Sequence, residues 1–442
     1  MPKKLCIAIV NVVNKDKNTA MNKDLNGGFG TSDDYGDSLF SKILKFVKRK
    51  SIRLPIITLA YLQAIFKNKG HYVEYFEGKL PKKNFDLVLI FGTIVDYKNE
   101  NMKCRIIKKK LPNAKVGFIG PFPSIKSELF DTADFIIIGE PENYFLNEFE
   151  SLEQLSGNIL VSSLTDLNSL PSPNFDGFPI NSYSYSPAIK EKPFLVLQAS
   201  KGCPYDCRFY CAYGQIQGPK LRQRTPEKVV EDIIFLKENY KARGIQFRDP
   251  TFGISKEFVK SLCKEIKRKR VKVAWGIETR LDLLDKDIIE IMYNAGLKNI
   301  NIGIETIDPI VAKRNKRKLI NLRHQEEIIA YCKEIGVNIS AFYIIGYEGD
   351  TERTISYTIN YAISLNTPLA RFAISTPYPG TGYYEQLEKD EKIISNDFEE
   401  YNQFNLVFKH ENFSKEELQK LLEKAYKKYY FRISYIKNLI NY

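Results

Sequence analysis

The sequence predicts an α/β protein built from two successive βα series and closed by a helical tail. Three observations predict it. Short apolar runs alternate with helical patterns from Leu54 to residue 152, and again from Pro193 to Ser375, as in parallel sheets whose strands are joined by crossover helices. Between the two series, residues 163–193 carry Pro171, Pro173, Pro179 and Pro187 among Asn, Ser and Tyr, and read as a crossing between domains. The second series holds six strand-like runs and no convincing seventh or eighth, so it predicts a partial (β/α)6 barrel with a side opening. The boundaries expected are 1–160 for a Rossmann-like, doubly wound first domain, 161–192 for a linker, 193–385 for the barrel and 386–442 for the helical C-terminal region.

Residues 5–13 form the first strand. The basic start before them looks superficially like a signal peptide, but the apolar run is short and ends in polar residues with no small-residue cleavage site. A long polar segment follows, with Gly27-Gly-Phe-Gly30. Glycine-rich loops cradle phosphates, yet this one lacks both the Lys-Ser/Thr of a P-loop and the spacing of a dinucleotide fingerprint. Helices are then expected over 55–68, 98–110, 124–129 and 142–152, and strands over 71–76, 86–91, 115–119 and 134–138. The strands end in Phe91-Gly92-Thr93, Gly120-Pro121 and Gly139-Glu140. Small residues at the carboxyl ends of parallel strands let a large flat ligand approach the backbone.

The barrel begins with the apolar strand 194–198, and the loop leaving it carries Cys203, Cys207 and Cys211 at C-x3-C-x3-C spacing. A helix over 226–239 follows, with Thr225 as N-cap and Pro226 in its first turn. The remaining strands are 245–248, 271–277, 299–304, 338–345 and 370–375, with Asp249, Arg280, Glu305, Gly346 and Thr376 at or just past their ends. Barrel active sites lie at that end. The tail from 384 reads as helical. Ser414-Lys-Glu-Glu has capping-box spacing, and the aromatic, basic run Lys427–Tyr435 is expected to pack its rings against the open barrel, with contact to a membrane or lipid as the other reading.

Three clustered thiols constrain the chemistry. A closed zinc site takes four ligands, and a disulfide framework takes an even number. A 4Fe–4S cubane normally takes four cysteines, so three on one loop suit a cubane with one iron open. The bland alternatives are a zinc site completed by a distant residue, or reduced structural thiols. Cys6, Cys104, Cys263 and Cys332 lie within strand or helix patterns and read as core thiols. This cysteine usage fits a reducing, cytoplasmic setting. No run approaches the roughly 18 apolar residues of a membrane-spanning helix. The net charge of +13 is spread over helix patterns and reads as solvated faces; an acidic electron donor, an anionic membrane surface or nucleic acid would also use it.

On these residues the chain resembles the radical S-adenosylmethionine (SAM) enzymes. Its cysteine loop is similar to their C-x3-C-x-aromatic-C, with Tyr210 as the aromatic residue and one residue more between Cys207 and Cys211. Phe209 or Arg208 is expected to bulge outward to absorb it. The resemblance implies that Cys203, Cys207 and Cys211 hold a 4Fe–4S cluster whose open iron takes the amino and carboxylate groups of SAM. It also implies that Arg280 pairs the SAM carboxylate, that Glu305 holds the ribose, and that Ile345-Gly346 is the adenine-contact strand. The first domain is similar to the cobalamin-binding domain that precedes many radical SAM cores, through Leu54-Pro-Ile-Ile-Thr-Leu-Ala-Tyr-Leu, Lys69-Gly-His-Tyr-Val, Gly117-Phe-Ile-Gly-Pro-Phe-Pro and Ile137-Ile-Gly-Glu-Pro-Glu. That likeness implies cobalamin contacts from Gly92, Thr93, Gly120, Pro121, Gly139 and Glu140. The Asp-x-His-x-x-Gly of cobalamin mutases is absent, and His71 reads as structural, not as a cobalt ligand.

What the resemblance implies is a cobalamin-dependent radical SAM methyltransferase. It would cleave SAM reductively to a 5′-deoxyadenosyl radical and methylate an unactivated carbon of a lipid or other small-molecule substrate, fed by a flavodoxin- or ferredoxin-type donor. Non-methylating chemistry, such as rearrangement or ring contraction, is the alternative. Methylthiotransferases acting on tRNA carry three more cysteines in the first domain and a C-terminal β-barrel. Here there are only Cys6 and Cys104, so nucleic acid is not the expected partner. A non-enzymatic iron–sulfur carrier would leave the strand-end residues without a task. No residue is singled out as catalytic.

Overall fold

Two six-stranded parallel sheets carry most of the chain in the computed structural model, which describes residues 4–14, 19–36 and 38–435. The first holds β1 (Cys6–Asn11), β2 (Tyr72–Glu77), β3 (Leu87–Phe91), β4 (Lys115–Ile119), β5 (Phe135–Ile138) and β6 (Gly157–Leu160), in the order β2-β1-β3-β4-β5-β6. Central β3 is Leu-Val-Leu-Ile-Phe and wholly buried, the continuous apolar run demanded when helices cover both faces. The helices are α1 (Leu39–Ser51), α2 (Ile57–Asn68) and α3 (Tyr97–Lys110). Neither α1 nor edge strand β6 was expected from the sequence.

The second sheet runs in simple sequence order: β7 (Phe194–Leu197), β8 (Gly244–Phe247), β9 (Ala274–Thr279), β10 (Leu297–Glu305), β11 (Asn338–Ile345) and β12 (Leu369–Ile374). All its pairs are parallel, and β7 and β12 are its two edges. Helix α4 (Pro226–Tyr240) starts as expected, with the Thr225 side chain accepting from the Lys228 amide. The tail covers the β12 edge. Tyr426, Tyr429, Tyr430 and Tyr435, on and just after the helix Lys415–Tyr430, donate their hydroxyls to the carbonyls of Phe372, Thr367, Ala370 and Pro368. A row of phenols thus satisfies backbone groups that a bare edge would leave open.

Several expected elements are corrected. The helix expected over 124–129 starts earlier, at Pro121, because proline's fixed φ suits a first turn; it ends at Ile125, and Ser127–Phe130 resumes as a 3-10 turn. The helix expected over 142–152 stops at Glu148, where Phe149 turns extended to bury its ring against Phe66 and Phe145. Residues 161–192, read as the crossing between the domains, are packed. Leu164, Leu167, Leu170, Phe175 and Phe178 are buried, and Gln63 of α2 donates to Asn174 and Asp176. The tail is less helical than expected, because residues 390–412 form a folded loop held by an Ile393–Phe408 bridge. Residues 436–442 of that tail lie outside the described residues.

An early segment clips the two halves together. Ala20–Asn22 pairs with Thr31–Asp33. From this hairpin Lys23 reaches Asp96 and Glu100 at 2.9 and 2.6 Å in the first domain. Asp24 and Asp33 reach Arg248 and Arg371 of the barrel at 2.6 and 3.0 Å.

Candidate functional site

The cysteine loop leaves β7 through Ser200–Lys201, which pairs with Arg222–Gln223. Gly202 sits at φ 86°, and a Cβ there would lie 2.0 Å from the Lys220 carbonyl, so only glycine fits. The extra residue is absorbed by a 3-10 turn over Asp206–Phe209, with the Tyr210 and Cys211 amides donating to Cys207 O at 3.1 and 2.9 Å. Phe209 does not bulge into solvent: its ring packs on Tyr383, with Lys316 Nζ 3.8 Å from its centroid.

Cys203, Cys207 and Cys211 line one cavity of about 240 Å3 at the carboxyl ends of the barrel strands. None is in a disulfide. Burial pushes the Cys203 thiol up, while a shared hydrogen bond holds Cys207 down and Cys211 up. Among the described residues no three His, Cys, Asp or Glu converge on a single ion. The three thiols border a common space, which is the donor set of a multi-iron cluster.

Arg280 and Glu305 line the same cavity. Arg280 donates to both oxygens of Asp282 at 2.9 and 2.8 Å and stacks over Tyr205 at 4.3 Å. Glu305 has φ 68° at a register shift that ends β10. Its Oε2 accepts from the hydroxyls of Tyr210 (2.8 Å) and Tyr347 (2.9 Å) and lies 3.2 Å from Arg317 Nε. Burial, reinforced by Glu305, pushes both phenols well up, so they stay donors. Arg317 was missed in the sequence because it follows a helix rather than a strand. Ile345 and Gly346 do not line the cavity; Ile344 and Tyr347 do. Gly346 serves packing instead, since a Cβ there would lie 2.4 Å from Leu418 of the tail helix.

A second cavity, of about 530 Å3, lies between the carboxyl ends of the first sheet and the cysteine loop. Gly120, Pro121, Gly139 and Glu140 line it. Gly92 and Thr93 do not. Gly92 makes room for Pro123, and Thr93 donates its amide and hydroxyl to Glu100 at 2.8 and 2.7 Å, tying the end of β3 to α3. The sequence reading missed Asp24, Gly27 and Gly28 of the glycine-rich loop, together with Lys201, Tyr213 and Arg248. Gly27 faces Tyr213 and Ile216, and Gly28 faces Pro121 and Phe91. The walls therefore combine glycine backbone from both sides with apolar Ile57, Ile138 and Val161, a cradle that fits a large flat ligand. No histidine of the chain lines it. His71 accepts from the Leu5 amide, and His324 and His410 bond the carbonyls of Leu281 and Tyr347.

Charged pairs seal this cavity between the domains. Arg222 donates to Glu140 at 2.6 and 3.0 Å, and Lys201 Nζ lies 3.1 Å from Glu142. Burial pushes the Glu140 carboxyl up, but Lys201 and Arg222 outweigh it and hold it below its usual value. Arg248 and Tyr213 line both cavities. Arg248 is fixed by Asp24 at 2.6 Å and by Glu278 at 3.4 Å, so the partition between the chambers is a braced guanidinium beside a phenol ring.

The family model for the Radical SAM superfamily matches residues 197–362. A protein of Pyrococcus horikoshii named uncharacterized methyltransferase PH0819 is 28% identical, over 86% of this chain and 88% of its own length. The solved structure of TsrM from Kitasatospora setae, a radical S-adenosylmethionine methyltransferase with cobalamin and a 4Fe–4S cluster bound, matches with a TM-score of 0.62 at 13% identity, over 88% of this chain and 78% of that one. The structure of OxsB, a cobalamin-dependent S-adenosylmethionine radical enzyme with aqua-cobalamin and S-adenosylmethionine bound, matches with a TM-score of 0.66 at 13% identity, over 100% of this chain and 69% of that one. At that identity the two likenesses are likenesses of fold.

Proposed function

Residues 197–362 are a radical SAM domain, and from that premise we propose that the protein is a cobalamin-dependent radical SAM methyltransferase acting on an unactivated carbon of a small-molecule or lipid substrate. The observation that carries this reading is that Tyr213 and Arg248 line both cavities, so the thiol-lined chamber and the glycine-walled chamber share one thin partition. Cys203, Cys207 and Cys211 would hold the cluster, and the walls around Gly27, Gly28, Gly120 and Gly139 would hold cobalamin. Bound there, the cluster supplies the electron that cleaves SAM, and cobalamin supplies a carrier for a methyl group.

The chain's own groups bind and orient. Asp282 engages Nε and one terminal nitrogen of Arg280; the guanidinium has five donors, so N–H capacity is left for the carboxylate of SAM. Glu305 is held by two phenols and Arg317, and it offers its other lone pairs to ribose hydroxyls. Phe342, Ile344 and Tyr378 supply apolar wall that excludes water from the reacting centre. No histidine lines the glycine-walled chamber, so no imidazole of this chain would reach cobalamin held there. An acidic donor of flavodoxin or ferredoxin type would be drawn by the +13 charge.

The test is anaerobic protein loaded with iron, sulfide and cobalamin, then given a reductant and SAM labelled in its methyl group. The expected result is deoxyadenosine release, with the label appearing on bound cobalamin. Bound cobalamin that never takes the label would move the protein to non-methylating chemistry. A protein that binds no cobalamin would leave the first domain without this role.

A further inference from the structure

Helix α1 carries apolar residues on two faces, and only one of those faces is packed. A core-facing helix buries its apolar stripe. Here Leu39, Ile43, Phe46 and Val47, which share one face at helical spacing, are 77, 55, 59 and 50% exposed. The face that packs carries Phe40 and Leu44, which meet the core, together with polar residues. Ser41 is fully buried and donates to the Tyr35 carbonyl at 2.6 Å. Lys45 is buried against Asp34 at 2.6 Å, and Lys48 lies over the Tyr430 ring. The apolar face continues onto the tail through Phe40, whose ring meets Phe431 at 4.8 Å. Phe431 and Ile433 are themselves 63 and 73% exposed. A contiguous patch of this kind on a soluble chain marks an interaction surface.

Charge selects the partner. The helix carries five cations, Lys42, Lys45, Lys48, Arg49 and Lys50, and no acid. Lys42 and Lys50 are exposed and flank the apolar stripe, with Lys50 Nζ 4.4 Å from the centroid of the Phe46 ring. Lys428, exposed on the tail helix, adds to the same sign. A second copy of this chain would bring like charges together around the stripe. An anionic bilayer offers hydrocarbon for the ridge and headgroup charge for its rim, the recognition used by interfacial helices. No helix among the described residues is long and apolar enough to cross a membrane, so contact is from one side.

We infer that the apolar face of α1, with Phe431 and Ile433, docks the protein on an anionic lipid surface. This stands apart from the chemistry of the two chambers and is tested without it. The full chain is mixed with vesicles of phosphatidylcholine alone, or with about one-third phosphatidylglycerol, and bound protein is sedimented. Binding is expected to the anionic vesicles and to fall with salt. Ile43→Glu with Phe46→Glu should weaken it by roughly tenfold or more, because two exposed anchors are replaced by anions. Lys42→Glu with Lys50→Glu should weaken it less and flatten the salt dependence. Both variants alter exposed side chains, so their melting temperatures should match the parent's. Three results would overturn the inference: no binding to either vesicle, anionic binding that survives Ile43→Glu with Phe46→Glu, or a dimer in solution that this variant dissolves.

Discussion

Replacing Lys201 by Met asks whether the joint between the two domains is held by buried charge. Lys201 is 5% exposed, on the strand that launches the cysteine loop, and its partners come from the end of the first sheet. Glu140 keeps Arg222 when Lys201 is lost. Glu142 is 1% exposed, and among the described residues its Oε1 has no hydrogen-bond partner beside the Lys201 ion pair at 3.1 Å. Removing one member of a buried pair and stranding the other costs about 3–5 kcal/mol. Lys201→Met with Glu142→Leu should recover most of that, because an apolar pair of similar volume replaces the charges. Urea unfolding followed by the fluorescence of Trp275, the only tryptophan, reads the difference. The pH dependence carries a second signature. Burial pulls the Lys201 ammonium down, but Glu140 and Glu142 outweigh it and raise it above 10.5, so its contribution is full below 10.5 and lost as pH rises through the folded value. Glu140 is held below 4.5, so its contribution is full above 4.5 and lost as pH falls through the folded value. Lys201 is one cause of that depression, so the variant should lose less stability on acidification than the parent. A single change costing under about 1 kcal/mol, or a double variant as damaged as the single, would refute the reasoning.

Ala at Cys203, Cys207 or Cys211 should abolish SAM cleavage and lower bound iron, whereas Cys263→Ala, in the barrel core, should keep both; iron analysis and deoxyadenosine release decide. Asp249 bonds the Ala199 amide and the Ser200 hydroxyl, and burial pushes its carboxyl up to about 7. Its folded value lies above its unfolded one, so its contribution favours folding as pH falls from 8 towards 5; Asp249→Asn should flatten that slope in unfolding measured at both pH values. His71→Ala should leave cobalamin affinity unchanged and cost about 0.5–1.5 kcal/mol for the lost bond to the Leu5 amide, by titration and unfolding respectively.

Much of the architecture is legible because strands buried on both faces must be apolar throughout; β3 and β7 announce themselves in this way. The thiols, Arg280 and Glu305 are legible because their chemistry is local to strand ends. Gly92, Thr93 and Gly346 mislead for one reason: a small residue at a strand end serves a neighbour as readily as a ligand, and here the neighbours are Pro123, Glu100 and Leu418. Arg248, Tyr213 and Asp24 are illegible because their meaning comes from the other domain; the Arg248–Asp24 pair spans 224 residues. Helix α1 hides because its apolar residues are split between a packed face, with Phe40 and Leu44, and an exposed one, with Leu39, Ile43, Phe46 and Val47.

The hairpin of residues 20–33 sets a timetable for the newborn chain. Its partners are made long after it: Arg371 follows Asp33 by 338 residues, roughly 20–70 s at the usual pace of translation. Asp33 waits that long for Arg371 with only the Tyr35 hydroxyl bonded to its side chain, while Asp24 waits 224 residues for Arg248, which also lines the larger chamber. Only the Asp33–Arg371 pair waits for the last barrel strand. The lining of the larger chamber is complete once Arg248 has been made, and a barrel begun at residue 193 would leave Arg248 and Arg371 without Asp24 and Asp33.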